Sequence, residues 1–131
     1  MNEITARIIC LAIGYAFGSF QTAFILGKIN GIDIREHGSG NSGTTNMMRT
    51  MGTKAGLITL LGDVLKVILA IVLTYFLFKD SFSDIRLLLK IYTAAGAILG
   101  HDFPFYMNFK GGKGIAVTAG MILAFDPLVV V

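Results

Sequence analysis

Residues 38–52 read G-S-G-N-S-G-T-T-N-M-M-R-T-M-G, a polar, glycine-rich stretch that lies between two long apolar runs. Glycines let backbone N–H groups approach a ligand closely, and successive N–H groups in turns form concavities that bind anions. Arg49 adds a planar guanidinium that suits a phosphate or a carboxylate. We therefore predict that this loop holds an oxyanion, most readily a phosphate, at a membrane surface.

The apolar runs around this loop are long enough to cross a bilayer, because about 20 helical residues span its hydrocarbon core. Hydrophobic residues make up 54% of the 131-residue chain and charged residues only 15%, which indicates contact with lipid. We predict an all-α integral membrane protein with one membrane domain over residues 1–131, a polytopic transmembrane helix bundle with glycine-rich cytoplasmic loops. The predicted helices are Ile4–Ile29, Ala55–Phe78, Ile85–Gly100 and a helix from Ile115 to Val131 that Asp126-Pro127 interrupts, and the predicted connections are Asn30–Lys54, Lys79–Arg86 and His101–Gly114.

Small and polar residues mark the first predicted helix. Gly14, Gly18 and Ser19 form a face on which another helix can pack closely. For Ser19 and Gln21 we favour packing between helices, with lining of a substrate site as the alternative. The distribution of Lys and Arg favours an N-terminus outside the cell and both glycine-rich loops in the cytoplasm.

Several classes of function are excluded by composition and spacing. The net charge of +3 comes without a basic run, so we expect no nucleic-acid partner. The single cysteine, Cys10, excludes an internal disulfide and a cysteine-based zinc site, and we expect no metal or cofactor. Residues 38–43 match G-x-G-x-x-G, but no alternation of strands and helices surrounds them, so we do not predict dinucleotide binding.

A second polar loop, residues 101–114, reads H-D-F-P-F-Y-M-N-F-K-G-G-K-G. Lys110 and Lys113 bracket two glycines, and we interpret them as a second anion clamp; the alternative is a glycine turn with basic membrane anchors. His101 stands at a helix end, where it could act as base, donor or capping residue. We expect His37, in the first loop, to be a solvated histidine rather than a base.

Asp63 and Lys66 lie three residues apart on one face of the second predicted helix. Ionisable groups at membrane depth are costly and usually mark a functional site. The alternative is a pair near the interface, with the lysine reaching toward water. No catalytic triad can be assembled from the sequence, so any chemistry should depend on positioning and charge neutralisation.

Residues 39–52 resemble the first motif of the bacterial acyl-phosphate–glycerol-3-phosphate acyltransferases, integral membrane enzymes of phospholipid synthesis. G-H-D-F-P at 100–104 and F-K-G-G-K-G at 109–114 resemble their second motif, and residues 63–66 resemble a further element. Val67 follows where the family usually has glycine, and a third motif with a histidine and an asparagine is absent. We therefore expect the chain to be the N-terminal portion of a longer acyltransferase.

The resemblance implies transfer of an acyl group from acyl phosphate to the 1-hydroxyl of glycerol 3-phosphate, which gives lysophosphatidic acid and phosphate. It implies a bacterial cell membrane, lipid contact, and acyl phosphate supplied by a soluble phosphate acyltransferase. The residues implied as catalytic are Ser39, Asn41, Arg49, His101 and Lys110, and those implied as substrate-binding are Gly40, Gly43, Thr45, Asn46, Lys66, Gly111, Gly112 and Lys113. The alternatives are a membrane protein that binds or transports anions and an inactive fragment.

Overall fold

The computed structural model describes residues 1–125, which contain α-helices, short 3-10 turns and no β-strand. The predicted all-α fold is therefore confirmed over these residues, whereas the predicted interruption at Asp126-Pro127 lies outside them. The α-helices are α1 (Glu3–Gly18), α2 (Thr22–Ile29), α3 (Thr44–Met51), α4 (Thr53–Phe78), α5 (Arg86–Asp102) and α6 (Ile115–Phe125), and the 3-10 turns are Ile34–Glu36, Ser83–Ile85 and Phe105–Met107.

Within residues 1–125, two helical apolar segments are long enough to cross a membrane. One is α4, with 26 residues, and the other is the 27-residue segment Glu3–Ile29 that contains α1 and α2. The predicted helices Ala55–Phe78 and Ile85–Gly100 correspond to α4 and α5, and α6 begins at Ile115 as predicted.

The prediction of one continuous helix over Ile4–Ile29 was wrong, because the helix is interrupted at residues 19–21. Gln21 adopts an extended backbone with φ −108° and ψ 96°, and α2 begins at the next residue. The carbonyl oxygen of Ser19 accepts a hydrogen bond from Tyr106, and that of Phe20 accepts one from Lys66. An interrupted helix at membrane depth is tolerated when other protein groups satisfy the freed backbone in this way.

The segment Asn30–Lys54, predicted as a loop, contains helix α3. This helix lies between Gly43 and Gly52 and buries Asn46 and Met47. Met47 packs in a small core with Ala23, Ile34 and Ala55. Burial of its inner face stabilises a helix whose sequence begins with two threonines and an asparagine, which are weak helix formers.

Helices α1 and α5 run parallel and make the closest contact in the bundle. A Cβ built on Gly14 or Gly18 would collide with backbone atoms of Thr93 or Ala97, and one built on Gly96 would collide with the backbone of Leu11. The predicted small-residue packing face is therefore present, and α5 supplies its partner.

Helix α4 runs antiparallel to α5, so both glycine-rich loops lie at the same end of the bundle. Thr74 of α4 contacts Thr93 of α5 near one end, and Lys66 contacts His101 near the other. Helix α6 packs along α4, where Val67, Ile71 and Val117 belong to one buried cluster. Cys10 is buried in a second cluster, as expected for a small apolar residue.

Candidate functional site

The first loop is shaped by the side chain of Asn46, which is only 3% exposed. Its Oδ1 accepts a hydrogen bond from the N–H of Ser39 at 3.1 Å, and its Nδ2 donates to the carbonyls of His37 and Asn41 at 2.9 Å each. These bonds hold residues 37–41 against the first turn of α3. The amide group of Asn46 is therefore engaged within the loop.

The second loop folds back onto the end of α5. The N–H groups of Gly111 and Gly112 donate to the carbonyls of Asp102 and His101, at 2.9 and 3.1 Å. A Cβ on Gly112 would collide with the imidazole of His101. The glycines thus permit close packing against the helix end, and these two N–H groups bind the helix rather than an anion.

The chain reverses direction just before Lys110 through two residues in the left-handed region. Asn108 has φ 53° and Phe109 has φ 59°. Asparagine tolerates this conformation, whereas for a bulky residue such as phenylalanine it is strained. The reversal directs Lys110 and Gly111 back toward the first loop.

A cavity of about 510 Å³ lies between the two loops. It brings together residues that are distant in sequence, Arg49 from α3 and Lys113 from the second loop among them. The predicted site residues that line it are Ser39, Asn41, Gly43, Thr45, Asn46, Arg49, His101 and Lys113. Asp63, interpreted from sequence together with Lys66 as the mark of a functional site, also lines the cavity. The remaining lining residues were not predicted as site residues, and they are Thr44, Leu60, Gly114, Ile115, Ala116 and Ala119.

Two helix N-termini border this cavity. The first hydrogen bonds inside α3 and α6 are Met47 N–H to Gly43 O and Thr118 N–H to Gly114 O. The N–H groups of residues 44–46 and 115–117 therefore have no acceptor within their own helices. Because such N–H groups and the helix dipole attract negative charge, the cavity suits an anion beside the N-terminus of α3 and another beside the N-terminus of α6.

A smaller cavity of about 250 Å³ adjoins the first and shares part of its wall. The shared residues are Ser39, Asn41 and Lys113, and the remaining lining residues are Arg35, Gly40, Lys110 and Gly111. Of the predicted site residues, Lys66 and Gly112 line neither cavity. His37 is exposed and lines neither, as expected for a solvated residue.

The charge of Arg35 is offset by Asp33. The guanidinium lies 2.7 Å from the Asp33 carboxylate, and its hydrogen bonds hold the pKa of that carboxyl well below its usual range. Lys110 and Lys113 are exposed. These two lysines, rather than Arg35, therefore supply the positive charge of the smaller cavity.

Lys66 lies in a buried cluster beneath the larger cavity. Its Nζ lies 3.0 Å from Asp63 Oδ1, 2.8 Å from His101 Nδ1 and 2.6 Å from the carbonyl oxygen of Phe20. The side chain of Lys66 is 4% exposed and that of Asp63 is 2% exposed. Lys66 therefore does not reach toward water, and the pair belongs to the interior of the bundle beside the cavity.

Sequence reasoning gave too little weight to Gln21 and did not single out Tyr106. Gln21 is fully buried, donates to the carbonyl of His101 and accepts from the hydroxyl of Ser42. The Tyr106 hydroxyl donates to the carbonyl of Ser19 at 2.5 Å, and burial raises its pKa. The sequence signal that could have identified Gln21 is its polar amide, which stands within an apolar run.

Comparison with known proteins gives consistent matches along the chain. Residues 8–131 match the sequence model of the family described as glycerol-3-phosphate acyltransferase. The protein of that name from Clostridioides difficile is 41% identical over 129 residues, which are 97% of this chain and 62% of the relative. The one from Bacillus subtilis is 43% identical over 126 residues, 95% of this chain and 61% of the relative. The chain thus spans less than two thirds of the length of these relatives.

The fold also matches a solved membrane protein. A crystal structure of PlsY, an integral membrane glycerol 3-phosphate acyltransferase, in its glycerol 3-phosphate form has a TM-score of 0.80 and 32% identity, over 94% of this chain and 59% of that one. Its lysophosphatidic acid form gives a TM-score of 0.78 and 31% identity, over 94% and 58%. Both matches agree with the long apolar helices described above. The chain therefore belongs to the glycerol-3-phosphate acyltransferase family, whose fold is that of an integral membrane helix bundle.

Proposed function

We propose that this site transfers an acyl group from acyl phosphate to the 1-hydroxyl of glycerol 3-phosphate. The observation that carries the proposal is the convergence of two helix N-termini, Arg49 and Lys113 on one cavity. The names of the relatives supply the acceptor, glycerol 3-phosphate. The products would be lysophosphatidic acid and inorganic phosphate.

The chemistry needs no nucleophile from the protein, because acyl phosphate is an activated mixed anhydride. The acceptor hydroxyl attacks the acyl carbon, and the bond between that carbon and the phosphate oxygen breaks. The hydroxyl proton passes to an oxygen of the departing phosphate. The remaining obstacle is to hold two anions at reaction distance, and preorganised cations and N–H donors lower that barrier.

Each substrate phosphate has its own set of positive groups in this proposal. Arg49 and the N-terminus of α3 hold one phosphate, and Lys110 and Lys113 hold the other. Ser39 and Asn41 line both cavities, a position suited to orienting the acceptor hydroxyl or the acyl carbonyl. Further hydrogen-bond donors come from the backbone or hydroxyl groups of Gly40, Gly43 and Thr45 and from His101 of α5. The residues that hold the two loops in position are Asn46, Lys66, Gly111 and Gly112.

The apolar part of the larger cavity wall suits an acyl chain. Leu60 and Ala119 line it and belong to helices α4 and α6. We place both glycine-rich loops at the cytoplasmic face of a bacterial cell membrane, where a soluble phosphate acyltransferase would supply the acyl phosphate. Labelling with a membrane-impermeant thiol reagent tests this placement on a Lys54→Cys variant in a Cys10→Ala background: protection in intact cells and reaction in inverted membranes are expected.

The direct test is product analysis of the purified chain in lipid nanodiscs with acyl phosphate and labelled glycerol 3-phosphate. We expect lysophosphatidic acid and phosphate in equal amounts. Arg49→Ala and Lys110→Ala should each lower turnover by about 10²-fold, as the loss of one preorganised charge typically does. Lys54→Ala is the control, since Lys54 is exposed and lines neither cavity.

Undiminished turnover in both variants would exclude the clamp. Absence of lysophosphatidic acid with the unaltered chain would contradict the proposal that this chain performs the reaction by itself. If labelled glycerol 3-phosphate instead crossed a vesicle membrane without exchange of bonds, the chain would be an anion transporter.

A further inference from the structure

The interruption between α1 and α2 accepts hydrogen bonds from the side chains of Tyr106 in the second loop, Lys66 in α4 and Ser42 in the first loop. A helix that stops leaves its last carbonyl groups without an N–H donor. Here the carbonyl of Ser19 accepts from Tyr106 of the second loop, and the carbonyl of Phe20 accepts from Lys66 of α4. Hydrogen bonds therefore join the interruption to the second loop and to α4.

Gln21 extends this attachment to both loops of the site. Its Nε2 donates to the carbonyl of His101 at 2.8 Å, and its Oε1 accepts from the hydroxyl of Ser42 at 3.3 Å. Ser42 is 1% exposed and directly precedes Gly43, at the start of α3. The same His101 carbonyl accepts the N–H of Gly112.

The two loops have no direct hydrogen bond to each other in the part of the chain that the structure describes. The connection between residues 37–46 and residues 101–114 instead runs through a single amide group, in the order Ser42, Gln21, His101, Gly112. Because Gln21 is fully buried, water cannot replace either of its bonds. Loss of the amide would leave the buried hydroxyl of Ser42 without its acceptor, and the carbonyl of His101 would retain only the N–H of Gly112.

We propose that Gln21 is a positioning residue that sets the position of the first loop relative to the second. The effect of this spacing on catalysis rests on the proposed function, whereas the effect of Gln21 on the spacing itself does not. Each loop carries its own phosphate-binding groups, so loss of Gln21 leaves the binding of each substrate intact. What changes is the distance between the two bound substrates, and a misplacement of about 1 Å can cost about 10²-fold in rate.

The structural test measures the proximity of the loops without any assay of activity. Cysteines replace Asn41 and Lys113, which line the same two cavities, in a Cys10→Ala background. The rate at which a short bifunctional thiol reagent links them is compared with and without Gln21→Leu. We expect the substitution to slow cross-linking several-fold, and an unchanged rate would overturn the proposal.

Thr93→Val is the matched control. Thr93 is fully buried in α5, bonds to the hydroxyl of Thr74, and lies about two turns before His101. Like Gln21→Leu, the Thr93→Val substitution removes a buried hydrogen bond and keeps the shape of the side chain, but its site is distant from both loops. Cross-linking at the wild-type rate is expected, and a decrease as large as that of Gln21→Leu would assign the effect to general destabilisation.

Ser42→Ala provides a second, milder variant that removes only one end of the bridge. It should slow cross-linking in the same direction, and its combination with Gln21→Leu should be no slower than Gln21→Leu alone. Groups that act through one connection are non-additive, whereas independent groups add. Additive effects would therefore overturn the proposal.

The kinetic test uses acyl phosphate and glycerol 3-phosphate. Gln21→Leu should lower kcat by about 10²-fold and leave the KM for glycerol 3-phosphate and the stoichiometry of its binding unchanged. A rise in KM with unchanged kcat would overturn the positioning role. If the unaltered chain formed no lysophosphatidic acid while Gln21→Leu still slowed cross-linking, the proposal that this chain performs the reaction by itself would be contradicted and the positioning role of Gln21 supported.

Discussion

The Nζ of Lys66 lies 2.8 Å from the Nδ1 of His101. An ammonium group can only donate, so Nδ1 accepts this hydrogen bond and Nε2 carries the ring proton. The Nε2 atom is the one that lies beside Gly112. Of the roles open to His101, this arrangement favours a hydrogen-bond donor over a base.

Removal of Lys66 should destabilise the protein strongly, because the carboxylate of Asp63 would lose its counter-charge in a buried position. Lys66→Met is expected to lower the free energy of unfolding by about 3–5 kcal/mol. The double variant Asp63→Leu/Lys66→Met removes both charges and should recover most of this loss. Thermal unfolding in detergent measures both effects, and a double variant as unstable as the single one would contradict the explanation.

Asn46→Asp should loosen the first loop without unfolding the bundle. Aspartate retains an acceptor for the N–H of Ser39 but places a negative oxygen against the carbonyls of His37 and Asn41. We expect a local cost of about 1–3 kcal/mol. Faster amide hydrogen exchange over residues 38–43, with unchanged exchange in α5, would show it. Thr45→Val, an exposed neighbour in the same turn, should leave that exchange unaffected.

Gly96→Ala should separate α1 from α5, because its Cβ would enter the backbone of Leu11. Backbone cannot move aside as a flexible side chain can, so a loss of about 1–3 kcal/mol in the free energy of unfolding is expected. Ala95→Leu adds more volume at the adjacent, exposed position and should change stability by less than about 0.5 kcal/mol. Equal losses from the two substitutions would argue against close packing at Gly96.

Phe109 offers a test of backbone strain in the second loop. Phe109→Ala and Phe109→Gly both remove a ring that is 60% exposed, but only glycine relieves the positive φ. The glycine variant should be more stable than the alanine variant by about 1 kcal/mol. Comparison of their melting temperatures removes the contribution of the ring, and a more stable alanine variant would exclude the strain.

The long helices could be predicted from sequence because their length and apolar character depend on neighbouring residues alone. The start of α6 and the end of α4 follow from adjacent glycines and charges. The small-residue face on α1 was also readable, since Gly14 and Gly18 recur at a helical spacing. The distribution of Lys and Arg placed both loops on one side of the membrane, and in the structure both lie at one end of the bundle.

The interruption at residues 19–21 and the helix α3 were missed for a shared physical reason. Both are stabilised by partners distant in sequence: Lys66 lies 46 residues from Phe20, and Tyr106 lies 87 residues from Ser19. Helix α3 similarly depends on the burial of Met47 against Ile34. For the same reason the sequence could not separate residues that line a cavity from residues, such as Asn46, that hold the loop together.

The parallel arrangement of α1 and α5 has a consequence for biosynthesis. Parallel neighbours cannot be joined by a short turn, so the chain must first return through α4 before α5 can reach α1. Because α5 follows α4 in the sequence, the glycine face of α1 has no α5 to pack against until the third long helix has been synthesised. The closest helix contact in the described part of the bundle therefore needs both α4 and α5, and the bridge from Gln21 to His101 at its loop end can form only once α5 is present.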